Sequence, residues 1–337
     1  MIKVLKNPLF LIGFLFIIGL LMTSFIYTAI VNSDVRQIQL LYDNNGDLLA
    51  SSPISPRWGI PFGTDLIGYD MLSKVLIGAK YTLLAAISIA ALRILISIPF
   101  GLILGSYLSK FTKYLNSIID IFHFIPLSLI ALYLLSPVLY SSSNGFEYSL
   151  TERIVIEVIV LTVLAVPVLA LLIGNETNEL FKEEFVISSK IMGGSKLHII
   201  RKHIFPLLKA RFWILFGQQI TQTLLVMVHL GLFNLYFGGT VITYGDFADP
   251  PKSMTNEWSG LIGGTKNYIR SAPWIPLTPI ICFALTILAV TLMIEGYNRV
   301  STGKSLYVIR KKDKKNNTES SRNRVNTSKF KFQRYNQ

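Results

Sequence analysis

Cysteine is almost missing from this chain. The one residue, Cys282, sits in an apolar run, so no internal disulfide can form, and one thiol says little about redox compartment. Histidine is scarce too, with four residues. His198 and His203 are five apart, which puts them on different faces of an α-helix, and no carboxylate or cysteine completes a metal-ligand set beside them. His123 and His229 fall inside apolar segments. Charge is thin, at 15% of residues, and no nucleophile, base and orienting group come together along the chain, so catalysis has no support. Gly296 to Ser305, "GYNRVSTGKS", ends like a phosphate-binding loop, but too many residues separate Gly296 from Gly303-Lys304 and a membrane segment precedes it where a strand is needed. ATP binding by this chain is excluded. No internal repeat is visible.

What is abundant is apolar surface. Hydrophobic residues make up 51% of 337 and mean hydropathy is +0.51, a balance that a water-soluble fold of this size could not hide, so the solvent is lipid. A spanning helix takes about 20 mostly apolar residues, because the backbone must satisfy its own polar groups where water is absent. Six runs qualify, at roughly residues 8–31, 82–106, 115–139, 153–174, 207–236 and 274–296; Pro126 and Pro137 interrupt the third. The first has Lys3 and Lys6 ahead of it like a signal peptide, but it is too long and lacks a small-residue cleavage site, so a retained helix is expected.

The formal charge of +13 does not point to nucleic acid, since no aromatic-interleaved basic groove is present. Instead the basic residues cluster beside apolar runs and in the tail. Placing the N-terminus inside puts Lys3, Lys6, Lys110, Lys113, the basic insert from Lys190 to Arg211, and the tail on the cytoplasmic side. The reading is an all-α integral membrane protein with six transmembrane helices: residues 1–31 form the inner end and first helix, 32–81 an extracellular segment, 82–301 a core of five helices, and 302–337 a basic disordered cytoplasmic tail. That tail is either simply solvated or drawn to anionic lipid.

Between the fourth and fifth segments lies "EEFVISSKIMGGSKLHIIRKHIFP", charged and helix-like. Phe185, Val186, Ile191 and Met192 share a face near helical spacing. Gly193-Gly194 permits the backbone that stops the helix, and Ser195 can cap a second one that runs to Pro206, where the next membrane helix begins. This reads either as a rigid elbow between two spanning helices or as a hairpin lying on the membrane.

These residues carry a resemblance. Ile187-Ser188-Ser189, then Gly193, then the ending His203-Ile204-Phe205-Pro206 resemble the EAA loop of ABC-importer permeases in spacing; the glutamate of that pattern is Ile187 here and both alanines are serines. "GTDLIGYD", "SIPFGLILGSYLSKFTKYLNSIIDIFHFIPLSLIAL" and "NEWSGLIGGTKNYIRSAPWIPLTPIICFALTILAVTLMIEGYNRV" are similar to stretches of the dipeptide, oligopeptide and nickel permease family, in its order, and the chain resembles the C-type subunit. The resemblance implies a non-catalytic permease subunit of an importer in a bacterial plasma membrane, both termini cytoplasmic. Implied partners are a homologous permease, two ABC ATPases that use ATP and Mg, an extracellular solute-binding protein and membrane lipid. It assigns ATPase coupling to Phe185, Val186, Ser188, Ser189, Gly193, Gly194, Ser195, His203 and Pro206. Peptides are the leading cargo and nickel or metal chelates the alternative. A receptor or scaffold would need a folded output domain, and a self-sufficient channel or secondary transporter would usually show paired repeats; neither is evident.

Arg93, His123, Glu157 and His229 are the candidate pathway or intramembrane polar residues. A lipid-facing guanidinium at Arg93 would cost several kcal/mol, roughly 3 on insertion scales. It is therefore expected to face the bundle, in an ion pair with an acid such as Glu157 or Asp120, or as a lining that attracts carboxylates.

Overall fold

Apolar runs without water must close their backbone hydrogen bonds locally, and the outcome is a bundle of long helices. In the computed structural model, residues 2–31, 34–43, 46–243 and 250–301 are described, with the backbone alone at 2, 3, 113, 118 and 120–124. The basic tail lies outside the described residues.

A short helix α1 (Ile2–Leu5) leads into α2 (Pro8–Val31), after which a small hairpin of β1 (Leu40–Tyr42) and β2 (Leu48–Ser51) forms outside the bundle. The chain then enters α3 (Met71–Ser106). Four helices follow, α4 (Ser109–Phe124), α5 (Leu127–Leu139), α6 (Leu150–Leu180) and α7 (Glu184–Ile191). Next come α8 (Lys196–Ile199), a π-helical turn at Ile200–Ile204 and α9 (Phe205–Leu232). Beyond α9, β3 (Thr240–Val241) pairs antiparallel with β4 (Lys252–Ser253), and α10 (Trp258–Gly263), a 3₁₀ turn at Lys266–Ile269 and α11 (Trp274–Ser301) complete the described chain.

α2, α3, α6 and α11 are each long and apolar enough to cross a membrane. α9 has the length, but Gln218, Gln219, Gln222 and His229 dilute it. The third apolar run is not one helix. α4 stops at Phe124, Ile125 is extended and Pro126 caps α5, because the residue before a proline is pushed out of the helical region.

α3 begins at Met71, inside what sequence assigned to the extracellular segment ending at residue 81. The cause is the turn written "GTDLIGYD". Asp65 Oδ1 accepts from the amides of Ile67 (3.0 Å) and Tyr69 (2.8 Å), Thr64 Oγ1 accepts from Ile54 N (2.8 Å), and Asp70 caps the helix through Leu72 N and Ser73 N. Lys74 and Lys80 hide this first stretch from a hydropathy reading, yet Lys74 is neutralised by Asp65 at 2.5 Å.

α3 packs chiefly along α6, and α2 along α11, with α9 between them. Gly101 and Gly105 of α3 face Ile173, Gly174 and Thr177 of α6 so closely that a side chain at either would collide. Small residues thus let these backbones meet, the common device where lipid offers helices no hydrophobic drive.

Candidate functional site: the elbow and the polar layer above it

α6 ends at Leu180, a three-residue turn follows, and α7 begins after Glu183. Its end is a Schellman closure: Gly194 N donates to Ser189 O and Gly193 N to Lys190 O, both at 3.0 Å. Gly193 holds φ +86°, a backbone state that a side chain disfavours. Ser195 Oγ then accepts from His198 N at 3.3 Å and starts α8. Ser188 Oγ bonds back to Glu184 O at 2.9 Å.

The next membrane helix begins beside Pro206 as expected, but with no gap before it. α8, the π-turn and α9 run on without interruption. Proline lacks an N–H and crowds the carbonyl four residues back; the wider π-turn, in which Phe205 N–H reaches Ile200 O, absorbs both before Pro206 enters. That turn also overturns the expectation that His198 and His203 lie on different faces. Their ring centroids are 6.3 Å apart, and Phe185 stands 6.2 Å from His203.

Val186, Ile199 and Ile204 are fully buried in one cluster with Ile173 of α6 and Leu208 and Leu215 of α9. This stretch therefore shares one packed core with both helices. Arg211 Nε bonds Glu176 Oε1 at 2.8 Å and so ties α9 to α6 beside it, and Lys196 Nζ reaches Ser106 O at the end of α3 at 3.4 Å. The opposite face is bare. Ile191 and Met192 are 83% and 81% exposed, with Ile187, Leu197 and half-exposed Phe185 around them.

Arg93 is wholly buried. It donates to Leu161 O from Nε (3.0 Å) and Nη2 (2.6 Å) and to Gln219 Oε1 from Nη1 (3.2 Å). The ion pair with Glu157 is not formed. Glu157, also buried, accepts instead from Gly238 N at 3.0 Å, because the chain after α9 folds back over the N-terminal end of α6. Glu257 holds the same loop through Phe237 N (3.3 Å) and accepts from Ser259 N, Ser259 Oγ and Gly260 N. His229 lies on an exposed face of α9. The side chains of His123 and Asp120 lie outside the described residues.

Residues 97–300, which include the elbow, match the model of the family described as binding-protein-dependent transport system inner membrane component. The chain belongs to this family. As a transport-system membrane component it is similar to the dipeptide transport system permease protein of Alkalihalophilus pseudofirmus, 25% identical over 298 residues, 88% of this chain and 84% of that one. It is also similar to the glutathione transport system permease proteins of Pectobacterium atrosepticum, 23% identical over 74% of this chain and 73% of the relative, and of Shigella dysenteriae serotype 1, 25% identical over 76% and 73%. Within this multi-pass membrane component, Gln219, Gln222 and Glu257 escaped a reading that looked for charges in apolar runs. The signal that could have found the first two was present: amides at helical spacing in a helix otherwise fit for lipid.

Proposed function

We propose that this chain is the C-type permease subunit of an ATP-driven peptide importer, crossing a bacterial plasma membrane six times with both termini in the cytoplasm. The six crossings are α2, α3, the broken pair α4 and α5, α6, α9 and α11. Peptide cargo is supported by the relatives, whose names specify dipeptides and glutathione. A homologous permease would complete the pathway, two ATPases would use ATP and Mg, and an external binding protein would deliver cargo. This chain itself would bind no cofactor.

The observation that carries the mechanism is the two-faced elbow. One face shares its core with α6 and α9, and the other leaves Ile191 and Met192 exposed as a knuckle. When ATP closes the ATPases, the knuckle moves with them, and the shared core passes the displacement to α6 and α9. The cavity between the two permeases then changes the side to which it opens. Phe185, Val186, Ser188, Ser189, Gly193, Gly194, Ser195, His203 and Pro206 transmit this motion and do no chemistry.

The test is Gly193→Pro in the tagged chain, purified gently from its native membrane with its partners. Proline fixes φ near about −65° and removes the N–H, so it cannot keep the closure at Gly193. The variant is expected to insert and retain a second permease and P-loop ATPases, yet to lose most uptake while ATP hydrolysis continues. Normal uptake by well-expressed Gly193→Pro would sink the coupling role, and recovery of the parent chain alone would sink the importer reading.

A further inference from the structure

A cavity of about 280 Å³ opens where α4 gives way to α5, against α6 and α9. Its walls include Ile125, Pro126, Leu164 and Val168, and among the described residues its polar lining is Gln219 and Gln222. Directly behind Gln219 sits Arg93, whose acceptors are the Leu161 carbonyl and Gln219 Oε1. No carboxylate among the described residues pairs with that guanidinium.

Two consequences follow from elementary chemistry. A guanidinium has donors only, so the Gln219 amide must turn its oxygen to Arg93. Its Nε2 hydrogens are then left for the cavity, where no protein acceptor among the described residues takes them. Second, a buried cation that pairs with no carboxylate among the described residues projects positive potential into its low-dielectric surroundings. An apolar-walled hollow with an oriented N–H donor and a positive field suits a carboxylate joined to an apolar group.

We propose that this cavity is a transit site for the carboxylate end of the cargo, with Gln219 Nε2 as its donor, Gln222 as a second contact and Arg93 as the positioning residue behind them. The proposal rests on the importer reading and locates the recognition inside this subunit. Arg93 does not touch cargo; it fixes the amide and supplies the field.

The test uses the importer in its own membranes, with Cys282→Ser removing the native thiol and Gln222→Cys as reporter. With each rate divided by that reagent's rate on a free thiol in solution, an anionic sulfonatoethyl methanethiosulfonate is expected to modify the reporter about fivefold faster than the cationic trimethylammonium reagent, the scale set by a unit charge several ångströms away. Adding Gln219→Glu, which pairs with Arg93 and cancels the field, should bring the ratio to one or below. Arg93→Met should do the same and Arg93→Lys should restore the preference, which a purely structural role would not produce. Where Arg93→Met does not accumulate, Gln219→Glu decides. Hydrocinnamate should slow the modification and its neutral amide should not. A parent ratio near one, a ratio indifferent to Gln219→Glu, no labelling at all, or equal protection by acid and amide would each overturn the proposal. Labelling needs neither uptake nor ATP, so a failure of peptide import leaves these rates readable.

Discussion

At the scale of single residues, the tightest demands fall where two backbones meet. A side chain at Gly105 would strike the Gly174 carbonyl and Thr177 Cβ, and neither can retreat without shifting α6. Overpacking of this kind costs about 1–3 kcal/mol when the surroundings can give. Gly105→Leu is therefore expected to lower both membrane accumulation and the thermal midpoint in detergent, whereas Leu95→Ala, at a side chain 70% exposed, should leave both near parental values. Equal behaviour of the two variants would show that α3 and α6 do not depend on this approach. Gly105 itself drew no notice in the sequence, because a glycine in an apolar run looks like any small residue until its opposing helix is known. Arg93 shows the same limit. Its burial followed from the cost of a lipid-facing charge, but its partner did not, since Leu161 offers a backbone carbonyl and Gln219 a neutral amide, neither of which a search for opposite charges would select.

Elements were legible where one property governed them. α2 coincides with the first apolar run, and the Gly193 stop and Ser195 cap stand where local backbone chemistry put them. A boundary failed where a turn effect intervened, since the Asp70 cap starts α3 early, whereas α9 begins beside Pro206 as expected, joined to α8 by a π-turn. The segment between α9 and α11 was harder still, because its organiser is a buried side chain. Burial pushes the Glu257 carboxyl up to about 7, against hydrogen bonds from Ser259, Gly260 and Phe237 that pull it down. The unperturbed value is 4.5, so between these limits the folded chain keeps a proton that the unfolded chain releases. Its contribution to stability is complete below the lower value and is lost as pH rises through about 7, a change of up to about 3 kcal/mol. In detergent, the thermal midpoint of the parent is expected to fall from about pH 5 to about pH 8 relative to Glu257→Gln, which cannot titrate. Parallel curves would show that Glu257 is not the group responsible.

At the scale of the whole molecule, the first helix leaves most of its surface uncovered by the rest of the chain. α2 buries only Gly13, Ile17 and Ser24 among its residues, leaving the rest of that helix to lipid or to another subunit, and pattern alone cannot divide an apolar face between the two. Direction across the membrane is a different matter, because it depends on where the basic residues lie and not on what the faces touch. In the proposed topology the turn near Trp58 is outside and the elbow inside, and both ends carry a fully accessible reporter position: Trp58 is entirely exposed and Ile191 nearly so. With Cys282→Ser as background, Trp58→Cys should react with a membrane-impermeant maleimide in intact cells, while Ile191→Cys should react only in inverted vesicles. Reaction of both from the same side would require an even number of crossings between them, removing one of α3, the α4 and α5 pair or α6 from the spanning set. Reaction of each from the opposite side would instead invert the whole chain and place the elbow out of reach of any cytoplasmic ATPase. If Ile191→Cys is labelled from the inside only when the partner ATPases have been stripped away, the same measurement also identifies what covers the knuckle, because an apolar tip that stays protected in the assembled complex must be seated in a partner and not in water.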